Sequence, residues 1–243
     1  MTRSQMYGLV LVFASASWAQ APPRTSTGVV VQSARYDTPT RSIVIRLVNN
    51  SGKDVTAYNL TVSETLSDGT KGKVALMTDF LGGVTHGVPG FAAGTSHDEI
   101  NGPSSQSVTN VSAVVDVVVY ADQTAEVAND LEYTRLVAMR KGDVLARQKA
   151  NELTAEALAD PNVSDPGKQV ATELKRLAAV INGKHNYAPN DPEQWMRDTL
   201  NFTSEDILRN PGREGLQNVV KRNEEEIAAA TPHTQLKKVR VSQ

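Results

Sequence analysis

Val111-Ser-Ala-Val-Val-Asp-Val-Val-Val-Tyr-Ala-Asp-Gln-Thr124 is the stretch at which the rhythm of the chain changes. Before it, apolar residues alternate with a period near two, as in β-strands, and after it they recur every three to four residues, as in helices. The part up to Tyr120 is β-branched and is polar only at Ser112 and Asp116. It predicts a central strand that is buried on both faces for much of its length. The sequence therefore predicts an α+β protein.

Upstream of this stretch, short alternating segments are separated by turn-forming residues. In the stretch 41–48, the apolar residues Ile43, Ile45 and Leu47 lie on one face of a strand. The predicted strands cover 29–32, 41–48, 55–62, 73–77 and 111–120, with turns at 49–54 and 67–70. Such strands without intervening helices predict an N-terminal antiparallel immunoglobulin-like β-sandwich over residues 28–126.

Downstream, residues 127–230 form a predicted C-terminal helical region. Residues 126–158 contain no proline and one glycine, which predicts one long helix, or two segments interrupted near Gly142. Further helices are predicted from Asp165-Pro166, from Asp191-Pro192 through Leu200, at 204–208 and at 212–230. Each has one apolar stripe, which either packs within the protein or docks a partner. The basic, polar residues 231–243 are expected to be a solvated, flexible tail.

Three segments resemble bacterial exported sandwich domains of the FxLYD-like kind. They are Val48-Asn-Asn-Ser-Gly-Lys-Asp-Val-Thr-Ala-Tyr-Asn-Leu60, Ser67-Asp-Gly-Thr70 and Val117-Val-Val-Tyr-Ala-Asp-Gln-Thr124. In the third segment, Gln123 stands where glycine commonly follows the aspartate. The resemblance implies an immunoglobulin-like fold and a role in interaction or scaffolding, not a reaction.

The first 19 residues have the pattern of a secretory signal peptide. Arg3 precedes the apolar run Tyr7–Ala14, and small residues at Ser17 and Ala19 predict cleavage between Ala19 and Gln20. The run is too short for a membrane anchor, which needs about 20 apolar residues. A linker over 20–27 would then lead into the first strand. We expect an exported protein of the periplasm or the extracellular medium.

Composition excludes several classes of protein. The absence of cysteine excludes a disulfide scaffold, thiolate zinc sites and a cysteine nucleophile. The formal net charge of −2 gives no general affinity for nucleic acid. No nucleophile elbow, phosphate-binding loop or other cofactor motif occurs, so the sequence implies no cofactor.

The most suggestive stretch for chemistry is the glycine-rich loop Asp79–Gln106. It contains His86, His97, Asp98 and Glu99, which are the candidate metal ligands of this sequence. Consecutive residues rarely converge on one ion, so a plain connection or a partner-recognition loop are the other interpretations. Trp195 and Tyr187 either line a binding groove or form local core.

These observations favour a non-enzymatic exported binding or scaffolding protein. It would recognise an unidentified protein or glycan through sandwich loops or a sheet edge. One alternative is a metal-dependent or other hydrolase that uses the His86–Glu99 loop. The other is an envelope structural component that assembles through its helices, and the oligomeric state is left open.

Overall fold

A computed structural model describes residues 27–81, 90–102, 107–183, 188 and 190–241. The predicted leader, its cleavage site at Ala19 and Gln20, His86 and Tyr187 lie outside these residues. The strands are β1 (Val29–Asp37), β2 (Ser42–Asn49), β3 (Val55–Leu66), β4 (Lys71–Asp79), β5 (Ser96–Asn101), β6 (Val108–Tyr120), β7 (Thr124–Val127) and β8 (Lys237–Arg240). The helices are α1 (Asp130–Ala159), α2 (Pro166–Gly183), α3 (Pro192–Arg209) and α4 (Arg213–Ala230), followed by a short 3-10 helix, Thr231–Thr234.

Within the described residues, the strands form two sheets. The first is antiparallel with the order β1-β2-β5, and the second is mixed with the order β4-β3-β6-β7-β8. Ile45 and Leu47 of the first sheet share one hydrophobic cluster with Tyr58, Leu60 and Val118 of the second. The two sheets therefore bury their facing sides against each other, and the α+β class predicted from the sequence is confirmed.

Strand β6 has the central position that its sequence predicts. It pairs with β3 on one side and β7 on the other. Val118 and Tyr120 point into the cluster between the sheets, whereas Val117 and Val119 pack with Leu136 of α1 on the opposite side. A run of β-branched residues is favoured here because both faces of this strand are covered.

Asp116 interrupts β6 at a β-bulge. Asn59 pairs with Val117 and Leu60 with Val115, which leaves Asp116 as the extra residue. Its backbone oxygen accepts from the N–H groups of Ala128 (2.8 Å) and Asn129 (3.2 Å). The Asn129 side chain in turn accepts from Leu131 N at 3.1 Å and caps α1. The bulge thus fixes where the last antiparallel strand ends and the first helix begins.

Two short strands differ from the sequence expectation. Residues 126 and 127 belong to β7 and not to the predicted long helix, which begins after the Asn129 cap. The tail was expected to be flexible and solvated, but Lys237–Arg240 forms β8, parallel to β7. Asp130 pairs with Lys238 and Arg240, which explains how a polar segment is held at the sheet. The second sheet is consequently mixed, not antiparallel.

Helix α1 is continuous across Gly142. A Cβ atom at this glycine would lie 2.4 Å from the oxygen of Pro192 and 2.7 Å from Cβ of Trp195. The glycine therefore permits a close approach of α3 and does not break the helix. The two helices expected at 192–200 and 204–208 are likewise one helix, α3.

Helices α3 and α4 both pack on α1 and make few contacts with each other. Leu200, Ile207 and Leu216 share a buried cluster with Ala146 and Ala150 of α1. In the part of the chain that the structure describes, no helix combines the length and apolarity needed to cross a bilayer. The arrangement leaves a groove between α3 and α4 whose floor is α1.

Candidate functional site

The groove opens into two adjoining cavities of about 350 and 470 Å³. The first extends from Asp79 at the end of β4 to Trp195 on α3, and the second continues past Phe202 toward Asp206. Asp143, Arg147, Thr199 and Glu226 line both cavities. Cavities of this size accommodate small organic ligands. We call these two cavities together the interhelical groove, with Asp79 at its inner end and Asp206 at its outer end.

Arg147 lies at the centre of the interhelical groove. Its Nε is 3.0 Å from Asp143 Oδ2, its Nη1 donates to Asn223 Oδ1 at 3.1 Å, and it also pairs with Glu226. Thr199 of α3 donates its hydroxyl to the other oxygen of Asp143 at 3.0 Å. The guanidinium thus joins α1 to α4, Asp143 extends the network to α3, and the position of Arg147 is fixed before any ligand arrives.

The ionic contacts continue toward the outer cavity. Arg222 Nη2 is 2.6 Å from Asp206 Oδ2, and its Nε is 4.0 Å from Glu226 Oε1. Charges therefore alternate in sign along the groove from Asp143 through Arg147, Glu226 and Arg222 to Asp206. Together with Asp79, Arg140, Asp198, Glu205 and Arg209, they make a lining of six carboxylates and four arginines, so the wall carries a modest excess of negative charge.

A second arginine closes the inner end of the groove. The Arg140 side chain is only 2% exposed and forms two bonds with Asp79, at 2.7 Å (Nε–Oδ2) and 3.1 Å (Nη2–Oδ1). Its Nη2 also donates to Thr56 Oγ1 at 3.4 Å. Since Thr56 and Asp79 belong to the second sheet and Arg140 to α1, this pair ties the helical layer to the strands.

His233 lies behind Arg140. Arg140 Nη1 donates to the backbone oxygen of His233 at 3.5 Å, and the imidazole is buried. Burial, reinforced by the positive charge of Arg140, lowers the pKa of His233 from its ordinary value, while Asp79 opposes this shift. The lowered pKa disfavours the protonated imidazole, which would place a second positive charge beside Arg140.

The face of α3 that lines the groove is built by a regular spacing. Trp195, Thr199 and Phe202 recur every three to four residues, which places them on one side of the helix. The helix start is fixed by Asp191, whose side chain accepts from Glu193 N at 3.0 Å, and by Pro192 in the first turn. Trp195 thus lines a cavity, and whether this cavity is a binding groove stays a prediction.

The residues singled out in the Asp79–Gln106 loop have a different arrangement. Residues 96–101 form β5, an edge strand of the first sheet, so neighbouring side chains point to opposite faces. Asp98 points outward, 3.8 Å from Arg46 Nε, whereas His97 and Glu99 are brought together on the other face. His97 and Asp98 therefore do not converge on one ligand.

Glu99 is held at the margin between the two sheets. Its Oε2 accepts from Thr78 Oγ1 at 2.8 Å and from the Tyr58 hydroxyl, and it lies 4.0 Å from His97 Nε2. The rings of Tyr58, Phe80, Phe91 and His97 pack around it with centroids 5.6 to 6.4 Å apart. Burial, together with the hydrogen bond to Glu99, raises the pKa of Tyr58.

This cluster resembles a closed piece of core more than an open site. The rings contact one another directly, and the one carboxylate is already bonded by its neighbours. Across the described residues, no three His, Asp or Glu side chains come together as the ligands of a metal ion would.

Sequence reasoning missed most of the interhelical groove. The signal was present in α1, where Arg140, Asp143 and Arg147 share one helical face, a spacing that indicates a functional or ionic stripe. The partners on α4 and at the end of β4 are far away in sequence, so their convergence depends on the tertiary fold. Compared with known protein families, curated proteins and solved structures, the chain matches none.

Proposed function

We propose that this chain is an exported, non-enzymatic binding protein whose ligand occupies the interhelical groove. The observation that carries the proposal is the preorganised wall centred on Arg147, which holds Asp143, Asn223 and Glu226 in place. A site whose polar groups are already fixed loses little conformational entropy when a ligand binds.

Export is inferred from the predicted signal peptide over residues 1–19. We also infer that the two sheets form an immunoglobulin-like sandwich, as the FxLYD-like segments imply. The shared cluster of Ile45, Leu47, Tyr58 and Val118 supports this inference, since it joins the inner faces of both sheets. In this scheme the sheets are a scaffold for the helices.

The sequence placed recognition on sandwich loops or a sheet edge. That prediction stays open, but the groove offers more to a ligand, since it is concave and lined by fixed polar groups. The hydrolase alternative also stays a prediction: His97 and Asp98 lie on opposite faces of β5, and His86 lies outside the described residues.

A ligand-retention experiment tests the proposal. The chain is incubated with an extract of its own cell envelope and desalted, and the retained molecules are identified by mass spectrometry. The test variant is Thr199→Trp, which fills the region shared by the two cavities. The matched control is Val180→Trp on α2, an exposed position that lines neither cavity.

We expect the wild type and Val180→Trp to retain the same molecule and Thr199→Trp to lose it. Equal retention by all three proteins would place recognition outside the groove. Recovery of the molecule in cleaved form, with turnover, would favour an enzyme. A wild-type protein that retains nothing and elutes as a concentration-dependent oligomer in size-exclusion chromatography would favour the structural-component alternative.

A further inference from the structure

The charges of the interhelical groove restrict what it can bind. Arg147 is paired with Asp143 and Glu226, and Arg222 with Asp206. A ligand that pairs as an ion with Arg147 or Glu226, at the centre of the groove, would have to replace one member of an existing ion pair and leave the other partly buried without its counter-charge, which is costly. A neutral ligand can add hydrogen bonds to the same groups and leave the pairs intact.

The groups of the wall match hydroxyls in particular. An ionised carboxylate accepts only, and a guanidinium donates only, whereas a hydroxyl does both. Asp143 Oδ2 and Arg147 Nε lie 3.0 Å apart, so one hydroxyl group of a ligand can reach a hydrogen-bond acceptor and a donor together. A molecule with several adjacent hydroxyls can satisfy such a wall at many points.

Helix α3 adds two aromatic rings to this polar wall. Trp195 lines the inner cavity and Phe202 the outer one. Seven residues, or two helical turns, separate them, a rise of about 10 Å along the helix. Phe202 is 71% exposed, so its ring is accessible to a ligand that lies along the helix.

Resting on the proposed function, we infer that the ligand is a neutral oligosaccharide that lies along α3. The polarised C–H face of a pyranose ring packs on the negative face of an aromatic ring, while its hydroxyls reach the neighbouring polar wall. The separation of Trp195 and Phe202 spans at least two linked sugar rings. Asp143, Arg147 and Thr199 lie between the two aromatic platforms.

Tryptophan fluorescence provides the test. The chain has two tryptophans, Trp18 and Trp195, so in a Trp18→Phe background all tryptophan emission reports on the groove. The probes are neutral tetrasaccharides to hexasaccharides of glucose, N-acetylglucosamine, mannose and xylose, in α- and β-linked forms. Oligogalacturonate of the same length serves as the acidic comparison.

We expect saturable binding of at least one neutral series, with oligogalacturonate at least tenfold weaker. In the same background, Phe202→Ala should weaken binding at least tenfold, because it removes the outer platform. Leu208→Ala is the matched control, since Leu208 is 44% exposed on the same helix but lines neither cavity. It should leave the affinity unchanged.

Three results would overturn the inference: no saturable change with any neutral series, tighter binding of oligogalacturonate, or equal loss in Phe202→Ala and Leu208→Ala. The proposed function fails separately. If the wild type retains a molecule that Thr199→Trp loses, but no oligosaccharide binds, the groove is a binding site and only the ligand class is wrong.

Discussion

The strand core and the helical core of this protein are stabilised in different ways. Between the sheets, the buried side chains are large and apolar, as at Ile45, Leu47 and Leu60. Along α1, most buried side chains are small, as at Ala146 and Ala150, or charged, as at Arg140, although Leu136 is large and apolar. Both cores bury large apolar side chains, but in the helical core those of α2, α3 and α4 pack on the small residues of α1, and paired charges are buried beside them.

The comparison explains why the groove lies among the helices. Large apolar side chains pack between the sheets, whereas the two cavities described above are lined mainly by residues of the helices. Alanine and glycine on α1 let α3 and α4 approach its axis, and the long charged side chains at the edges keep the two helices apart. On α1, small residues therefore set the helix packing, and the neighbouring Asp143 and Arg147 line the cavities.

The largest expected effect comes from the pair that joins the two layers. Arg140→Met leaves Asp79 partly buried without its counter-charge and removes the bond to Thr56. We expect a loss of about 3–5 kcal/mol in the free energy of unfolding, as for other buried pairs broken on one side. Denaturant unfolding followed by circular dichroism measures it.

The double variant Arg140→Met, Asp79→Asn is the control for this effect. It removes the unpaired charge of residue 79. The asparagine keeps a side-chain oxygen that can accept from the N–H of Leu81, as Asp79 Oδ1 does at 3.0 Å. Part of the lost stability should return. If the double variant is no more stable than Arg140→Met alone, the cost comes from packing and not from the buried carboxylate.

The next effect tests the close helix approach. Alanine is normally preferred over glycine within a helix by about 1 kcal/mol. At Gly142 the added Cβ would lie 2.4 Å from the Pro192 oxygen, so α3 must move. We expect Gly142→Ala to reduce the unfolding free energy by about 1–3 kcal/mol, as overpacking does.

Gly183→Ala is the matched control, because nothing lies within 4 Å of a Cβ at that position. It should be neutral or slightly stabilising. Trp195 fluorescence should shift in Gly142→Ala and stay unchanged in Gly183→Ala. A stabilised Gly142→Ala variant with unchanged emission would mean that α3 does not depend on this contact.

Elements that depend on local contacts are predictable from the sequence, whereas those that depend on distant contacts are not. Strands such as Ser42–Asn49 and the caps at Asp165 and Asp191 follow from local rules of alternation and hydrogen bonding, and they are where the sequence placed them. Strand β8 has no such signal, because Lys237–Arg240 is polar and its pairing with β7 bridges the whole helical region.

The candidate site depends even more on distant contacts. The stripe of Arg140, Asp143 and Arg147 is visible in the sequence of α1, but Asp79 and Glu226 reach it only after the sheet and α4 have packed. In the loop, alternation along β5 separates Asp98 from His97 and Glu99, and this separation could be deduced only once the segment was known to be a strand.

A smaller effect is expected in the strand core. Tyr58→Phe removes the hydroxyl that donates to Glu99 but leaves the bond from Thr78, so the cost should be about 1 kcal/mol at pH 7. Because burial raises the pKa of Tyr58 in the folded state, its contribution is full below its unfolded pKa of about 10 and is lost as the pH rises above that value.

Urea unfolding at pH 7 and pH 11 measures this difference. The wild type should lose more stability between the two pH values than Tyr58→Phe does. Tyr36→Phe serves as the control, since Tyr36 lies in β1 and is only partly buried. An equal alkaline loss in the wild type and Tyr58→Phe would show that Tyr58 ionises as readily in the fold as in the unfolded chain.

The smallest effect concerns β8 and the exposed charges that hold it. Hydrogen bonding from Lys238, helped by the charge of Arg240, lowers the pKa of Asp130, so its stabilising contribution is present above its unfolded pKa near 4 and is lost as the pH falls through the lowered value.

The bonds from Val241 N to Val127 O (3.0 Å) and from Lys237 N to Gln123 O (2.9 Å) report on the docking of β8. We expect Asp130→Asn to reduce the hydrogen-exchange protection of these two amides at pH 6 while the amides of β6 stay protected. Glu173→Gln, which removes a comparable exposed pair with Arg176 on α2, should leave both amides unchanged. If Asp130→Asn also leaves them protected, the backbone pairing with β7 holds β8 without help from the charges.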